Sequence, residues 1–420
     1  MPDTPTTQTA PDASYDIAVI GGGIHGAGVA QAAAAAGYRC VLIERDDWGA
    51  GTSSKSSKLI HGGLRYLENG QFRLVRESLQ ERRTLLNIAP KLVRPVPFLI
   101  PVYRETRRRP WQIQAGLWLY RLLAGSDPLG KFRRLRRAEW GQLSGLRGQG
   151  LQAVFQYWDA QTDDHALTAA VAHSAGTLGA TLAPGQALTA VERSAGGFAL
   201  RTEGADGERR WHCRCLVNAA GPWQAAVNQL LPEPLALPAI ELVRGSHLIL
   251  DTPARPEIVY VEAPGDGRAV FVMPWRDKTL IGTTECSHRG PPDQVAASDE
   301  EVAYLRACYR HYFPSPTATS PSSPSGADPQ AGPAVLGSFA GLRVLPADGG
   351  ERLFRRSRET LLITDDDTAP RAIAVVGGKL TGYRLTAERV IAQLAGQLPP
   401  RERRGDTARI PLHPAPTAET

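Results

Sequence analysis

Tyr15-Asp-Ile-Ala-Val-Ile-Gly21-Gly-Gly-Ile-His-Gly26-Ala-Gly28 is the stretch that decides the fold. Residues 15–20 form a short apolar run, the mark of a buried strand, and residues 27–36 are Ala-rich and read as a helix. Between them Gly21, Gly23 and Gly26 stand at G-x-G-x-x-G spacing. The first glycine permits the tight turn, the second lets the backbone approach a pyrophosphate, and the third lets helix and strand pack closely. A diphosphate would then sit at the helix N-terminus, where free N–H groups and the dipole favour anions. Gly37 suits a helix C-cap, and residues 40–43 form a second apolar strand ending in Glu44. A carboxylate there accepts hydrogen bonds from ribose hydroxyls and repels a 2′-phosphate. Strand, turn, helix, strand and acid in this order predict a dinucleotide cradle.

Working outward, length and composition agree with an enzyme. A chain of 420 residues, 42% hydrophobic and 21% charged, can bury large cores, most simply in two interleaved domains. Residues 1–14 are polar and lack the basic-then-apolar pattern of a signal peptide. Residues 17–37 are too interrupted by glycines, His25 and Gln31 for a membrane span. The five cysteines are scattered, and Cys213-x-Cys215 has neither metal-site nor redox spacing. Reduced thiols in a cytoplasmic protein are expected, with no metal site.

The formal charge of +6 is concentrated in residues 94–137, which carry Arg94, Arg104, Arg107, Arg108, Arg109, Arg121, Arg133, Arg134, Arg136 and Arg137. Trp111, Trp118 and Tyr120 lie among leucines in the same segment. Two readings stand: an amphipathic element at an anionic bilayer surface, or a solvated helix packing its apolar side on the core. No nucleic-acid recognition motif accompanies the charge.

Farther along, residues 163–179 look helical, and 198–202 with 211–217 look like strands around a turn at 204–207. Residues 246–250, 258–262, 269–274 and 279–284 are β-rich runs between Pro, Gly and Asp turns, which suggests an antiparallel meander. Residues 314–334 are Pro/Ser-rich and should be disordered. Strands at 360–363 and 372–376 lead to Gly377-Gly-Lys-Leu-Thr381 and a helix to about 398. That second strand, glycine turn and helix repeats the physics of the first. A helix N-terminus there would face the electron-accepting end of a flavin.

These elements resemble the FAD-dependent glycerol-3-phosphate dehydrogenases, within the wider glycine oxidase/D-amino-acid oxidase-like group. The residues that carry the resemblance are Ser53-Ser-Lys-Ser-Ser-Lys-Leu-Ile-His-Gly-Gly-Leu-Arg-Tyr-Leu-Glu68, Val217-Asn-Ala-Ala-Gly-Pro-Trp223, Arg244-Gly-Ser-His247, Phe271-Val-Met-Pro-Trp-Arg276, Ile281-Gly-Thr-Thr284 and Gly377-Gly-Lys-Leu-Thr381 with Tyr383-Arg384. The match runs from residue 15 to about 398. It implies an α/β fold: a Rossmann-type FAD-binding domain with an interleaved antiparallel-sheet (α+β) substrate domain. Residues 15–90, 151–235 and 360–398 would form the first, residues 91–150 and 236–359 the substrate-binding, membrane-facing second. Residues 1–14 would be disordered and 399–420 a loose tail. Members of the family usually carry a further C-terminal helical domain, which this sequence is not expected to include. A Pro/Ser-rich insertion precedes Gly341-Leu-Arg343, where the family's Val-Arg-Pro is Leu-Arg-Val.

The resemblance implies oxidation of sn-glycerol 3-phosphate to dihydroxyacetone phosphate, with hydride passing to flavin N5 and electrons to a membrane quinone. Further FAD contacts would come from Gly22, Arg45, Thr52, Ser53, Ser57, His61, Gly62, Gly63, Ala219, Gly221, Gly378, Lys379, Leu380 and Thr381. The phosphate needs cations, and Arg65, Arg343 and Lys379 are the matching positions, with Tyr66 as hydroxyl donor and Arg358 as a further cation. Arginine suits the role through its planar fork. His61 and His247 stand on motif positions, and either suits the base that takes the hydroxyl proton; His61 can instead pack beneath the flavin. Implied partners are the substrate, the quinone, an anionic membrane surface on the cytoplasmic face of the inner membrane, and a second copy of the chain. Two other classes stay open: a flavin oxidase of an amine or amino acid using oxygen, and a catalytically silent flavoprotein.

Overall fold

The computed structural model describes residues 14–143, 145–314, 332–347 and 359–415. Residues 1–13 and 315–331 of the expected disordered segments, and Arg358, lie outside the described residues.

The opening stretch folds as read. Strand β1 (Ser14–Ile20) runs into helix α1 (Ile24–Ala35) and on to strand β2 (Cys40–Ile43). Every residue of α1 but His25 is buried, so this Ala/Gly helix has no polar face and must be covered on several sides. Three helices meet there: α1 packs against Asp164–Thr177 and the last helix, Tyr383–Leu394. Below them lies a sheet in the order Leu361–Thr364, Ala372–Val376, Gly207–Asn218, β1, β2, Thr181–Ala183. Its neighbours are parallel except the first pair. Ile17 stands opposite both Cys215 and Cys40 at its centre. A hairpin of Gln186–Ser194 and Gly197–Gly204 extends from Gly207–Asn218.

A second sheet of ten strands, among the described residues, holds the other core. Ile258–Glu262, Ala269–Trp275 and Lys278–Gly282 form the expected meander. The long strand Ile240–Pro253 joins at Lys278–Gly282 and also pairs with Val335–Pro346. On the other side Val93–Tyr103 pairs with Leu151–Thr162 over most of its length.

Two domain expectations need correction. Leu59–Ile60 and Leu151–Thr162, assigned above to the cofactor domain, are strands of the second sheet. Leu151–Thr162 pairs with both Leu59–Ile60 and Val93–Tyr103, each remote from it in sequence, so no local signal marks the crossover. Residues 399–415, expected to be loose, are held down. Arg401 forms an ion pair with buried Asp16 at 2.9 Å, the Arg404 amide donates to the Ala35 carbonyl at 2.8 Å, and Leu412 is buried in the first core.

Candidate active site

A cavity of about 620 Å³ lies where the carboxyl ends of the parallel strands meet the second sheet. On one side the cradle lines it with Gly21, Gly23, Glu44, Ala219 and Gly221. Gly21 has φ +106°, and a Cβ on Gly26 would stand 1.8 Å from the Gly21 carbonyl oxygen, so the turn closes only with glycine at both places. α1 starts at Gly23 with no side-chain cap and no acid in its first turn. Its N-terminal amides and dipole therefore suit an anionic diphosphate. The Ile24 amide is turned toward Ser53 Oγ, 2.9 Å away. Glu44, at the end of β2, accepts from the Gly22 amide at 2.5 Å and the Asp46 amide at 2.8 Å. Arg45 stacks over Trp223 and pairs with Asp293 at the same end. These residues fit a dinucleotide.

Thr52, Ser53, Ser57, His61, Gly63, Gly378, Lys379, Leu380 and Thr381 also line the cavity. The two glycine-rich turns are joined there, the His61 amide donating to Thr381 Oγ1 at 3.2 Å. Thr52 Oγ1 ties the first loop to the Leu342 carbonyl at 2.7 Å. Gly22, Gly26 and Gly62 stand behind the surface rather than on it.

The wall contributed by the second sheet is a side-chain assembly. Glu285, buried, faces two arginines with one oxygen: Oε1 is 3.3 Å from Arg343 Nη1 and 3.9 Å from Arg65 Nη2. Arg343 Nη2 donates to Thr283 Oγ1 at 3.2 Å. Arg268 Nη1 donates to the Glu285 carbonyl at 3.1 Å. Lys379 Nζ lies 3.8 Å from the centre of the Tyr66 ring, a cation–π contact, and 3.4 Å from Ser78 Oγ. Arg65, Tyr66, Arg268, Arg343 and Lys379 all line the cavity, an arrangement that draws an anion.

The two candidate bases separate. His61 lines the cavity. His247 does not: it is buried, stacked on Phe339 and hydrogen-bonded through Nε2 to Ser57 Oγ at 2.9 Å. Burial, then Arg343 and Lys58, lowers its pKa to about 3. His247 is therefore corrected from candidate base to a neutral support behind Ser57.

Helix α2 (Phe72–Ile88) and helix α3 (Pro110–Ala124) lie on the far side of this wall. α3 has one buried and one exposed side. Ile113, Leu117 and Tyr120 are buried, while Trp111, Trp118 and Leu122 are 70%, 54% and 75% exposed. Arg121 stacks over Trp118. Arg108 is not a free surface charge, since it pairs with Glu262 at 2.5 Å and with Glu68. Among the described residues no helix is long and apolar enough to cross a membrane.

Several cavity residues went unread. His25, in the first turn of α1, lines the cavity with its pKa lowered by burial to about 4; the glycine fingerprint around it gives it no separate signal. Glu285 follows the Ile281-Gly-Thr-Thr284 motif directly. Arg268 has no local signal, being one arginine among turn residues. Among the described residues, no group of three or more His, Cys, Asp or Glu is placed to hold a metal.

A family model described as FAD dependent oxidoreductase matches residues 16–384. The chain is 39% identical over 395 residues to a glycerol-3-phosphate dehydrogenase of Pseudomonas aeruginosa, covering 92% of this chain and 73% of that protein. It is 37% identical over 382 residues to a D-erythritol 1-phosphate dehydrogenase of Brucella abortus, covering 90% and 73%. The solved glycerol-3-phosphate dehydrogenase of Bacillus halodurans, complexed with FAD, matches with a TM-score of 0.68 at 26% identity, covering 95% of this chain and 68% of that one.

Proposed function

Because the chain belongs to the family of FAD-dependent oxidoreductases, we propose that it oxidises a phosphorylated polyol, sn-glycerol 3-phosphate foremost, to the corresponding ketone. FAD is its cofactor. The observation that carries the reading is the meeting, in one cavity, of the α1 N-terminus with the Arg65–Glu285–Arg343 group.

FAD, when bound, supplies the two-electron acceptor for the hydride that leaves substrate C2. The remaining work falls to the chain. Arg343, Arg65 and Arg268 hold the phosphate, arginine forks making paired charge-assisted bonds to its oxygens. Glu285 keeps the first two side chains turned into the cavity until the phosphate arrives. Lys379, laid on Tyr66, adds positive charge at the flavin end. His61 accepts the proton of the C2 hydroxyl, so the oxygen becomes a carbonyl as the hydride departs. The joined turns at 61–63 and 377–381 exclude water from that face.

Electrons then leave to a membrane quinone. The exposed Trp111, Trp118 and Leu122, with Arg121 beside them, support docking on the cytoplasmic face of an anionic inner membrane. D-Erythritol 1-phosphate is the second substrate reading, favoured by the Brucella abortus relative. Turnover with sn-glycerol 3-phosphate, D-erythritol 1-phosphate, glycerol and glycine, each with a short-chain quinone or oxygen as acceptor, tests the reading. A phosphate ester should be the preferred substrate and the quinone the preferred acceptor. Preference for glycine with oxygen would make the protein an amino-acid oxidase instead.

A further inference from the structure

Behind the cavity wall lies a chain of buried polar groups that the chemistry above does not use. Arg82, on α2, is fully buried and pairs with Asp159 through Nη1 and with Asp127 through Nη2, each at 2.5 Å. Asp159 Oδ2 is 2.8 Å from the hydroxyl of Tyr120, on the inner side of α3. The Gly62 amide in turn donates to that hydroxyl at 2.9 Å. Since the Gly62 N–H is the donor, the tyrosine O–H is left to point at Asp159, which as a carboxylate only accepts. Burial, with Asp159 beside it, pushes the Tyr120 pKa well up, so the hydroxyl keeps its proton.

The chain of bonds ends between two cavity residues, since Gly62 joins His61 to Gly63. The turn is also pressed onto the hydroxyl. A Cβ on Gly62 would stand 2.4 Å from Tyr120 Oη and 2.6 Å from Leu79 Cδ2. Thr381 holds the His61 amide separately. The loop is thus pinned at successive amides by two unrelated elements. Burying an arginine with two carboxylates carries a large desolvation cost, and here the group holds the Gly62 amide, which donates to Tyr120 Oη at 2.9 Å and, at a longer 3.4 Å, to Asp159 Oδ1.

We propose that Tyr120, oriented by Asp159 and Arg82, is a positioning residue that fixes the His61–Gly63 turn against bound FAD and substrate. The proposal rests on the reading of the cavity given above. Tyr120→Phe keeps the ring and its edge contact with Tyr157 while removing the one oxygen.

In FAD-loaded protein, Tyr120→Phe should slow flavin reduction at saturating sn-glycerol 3-phosphate about tenfold or more, with KM changed less than about threefold. It should also alter the visible circular dichroism of the bound FAD with no substrate present. Asp127→Asn is the control: it breaks the other Arg82 pair but leaves Tyr120 on Gly62. It should lower Tm and leave both readouts as in the parent. Should Tyr120→Phe not accumulate, Asp159→Asn should reproduce its effects. A Tyr120→Phe protein with parental dichroism and reduction rate, even at lower Tm, would overturn the proposal. So would an Asp127→Asn protein that moves both readouts as far. If the parent flavin is not reduced by sn-glycerol 3-phosphate at all, the substrate reading fails, and the dichroism comparison still decides the role of Tyr120.

Discussion

The two walls of the cavity are built in different ways. The cradle is made of backbone: a turn, a helix N-terminus and strand ends, all within residues 15–44 apart from the closing Ala219–Gly221 segment. The opposite wall is made of side chains from Arg65, Arg268, Glu285 and Arg343, brought together from segments far apart in sequence. A backbone site tolerates no extra atom but binds any dinucleotide of the right charge. A side-chain site can be retuned one residue at a time. Cofactor choice is therefore fixed in the local fold, and substrate choice in the tertiary packing.

Breaking the cradle should cost most. In Gly26→Ala the new methyl meets the Gly21 carbonyl at 1.8 Å, so helix and strand must part. We expect destabilisation of about 3 kcal/mol and purified protein without FAD, read by flavin released on denaturation. Retention of FAD at the parental ratio would show that the turn is looser than its geometry.

Breaking the other wall should spare the cofactor. Arg343→Ala removes charge-assisted bonds of about 1.5–3 kcal/mol, so kcat/KM for a phosphorylated polyol should fall about 10- to 100-fold. Turnover of glycerol should hardly change. Equal losses for both compounds would remove Arg343 from the phosphate site.

His247 sharpens the comparison through pH. Its pKa falls from 6.5 to about 3 in the folded protein, so the unfolded chain takes up this proton first. The stability from keeping it neutral is whole above pH 6.5 and is lost as pH falls toward 3, at up to about 1.4 kcal/mol per unit. His247→Gln should flatten the acid limb of Tm against pH. An unchanged limb would mean that other groups set it.

The smallest effect should come from the outside of α3. Trp111→Ser with Trp118→Ser should lower partitioning onto anionic vesicles about tenfold, leaving turnover with a water-soluble acceptor unchanged. Unaltered partitioning would leave α3 a core helix only.

The same contrast governs what could be read from the sequence. Gly21, Gly26 and Glu44 were legible because the βαβ unit imposes them at fixed spacing. Arg65 and Arg343 were legible only through the longer motifs around them. Arg268 was not, because its place depends on the meander turning toward Glu285. His247 stands on a motif position but packs on Phe339, and only the pairing of Ile240–Pro253 with Val335–Pro346 shows it. The placement of Leu151–Thr162 depended on Val93–Tyr103, a partner remote in sequence, and composition hid the Arg401–Asp16 clamp.

The central claim is that one cavity joins FAD to a site for a phosphate-bearing alcohol. Anaerobic addition of sn-glycerol 3-phosphate to the FAD-loaded protein tests it most directly, without reference to any electron acceptor. The account expects the visible flavin band to bleach with the phosphate ester and to persist with glycerol or glycine at the same concentration. Bleaching by glycine alone, or equally by glycerol, would contradict it.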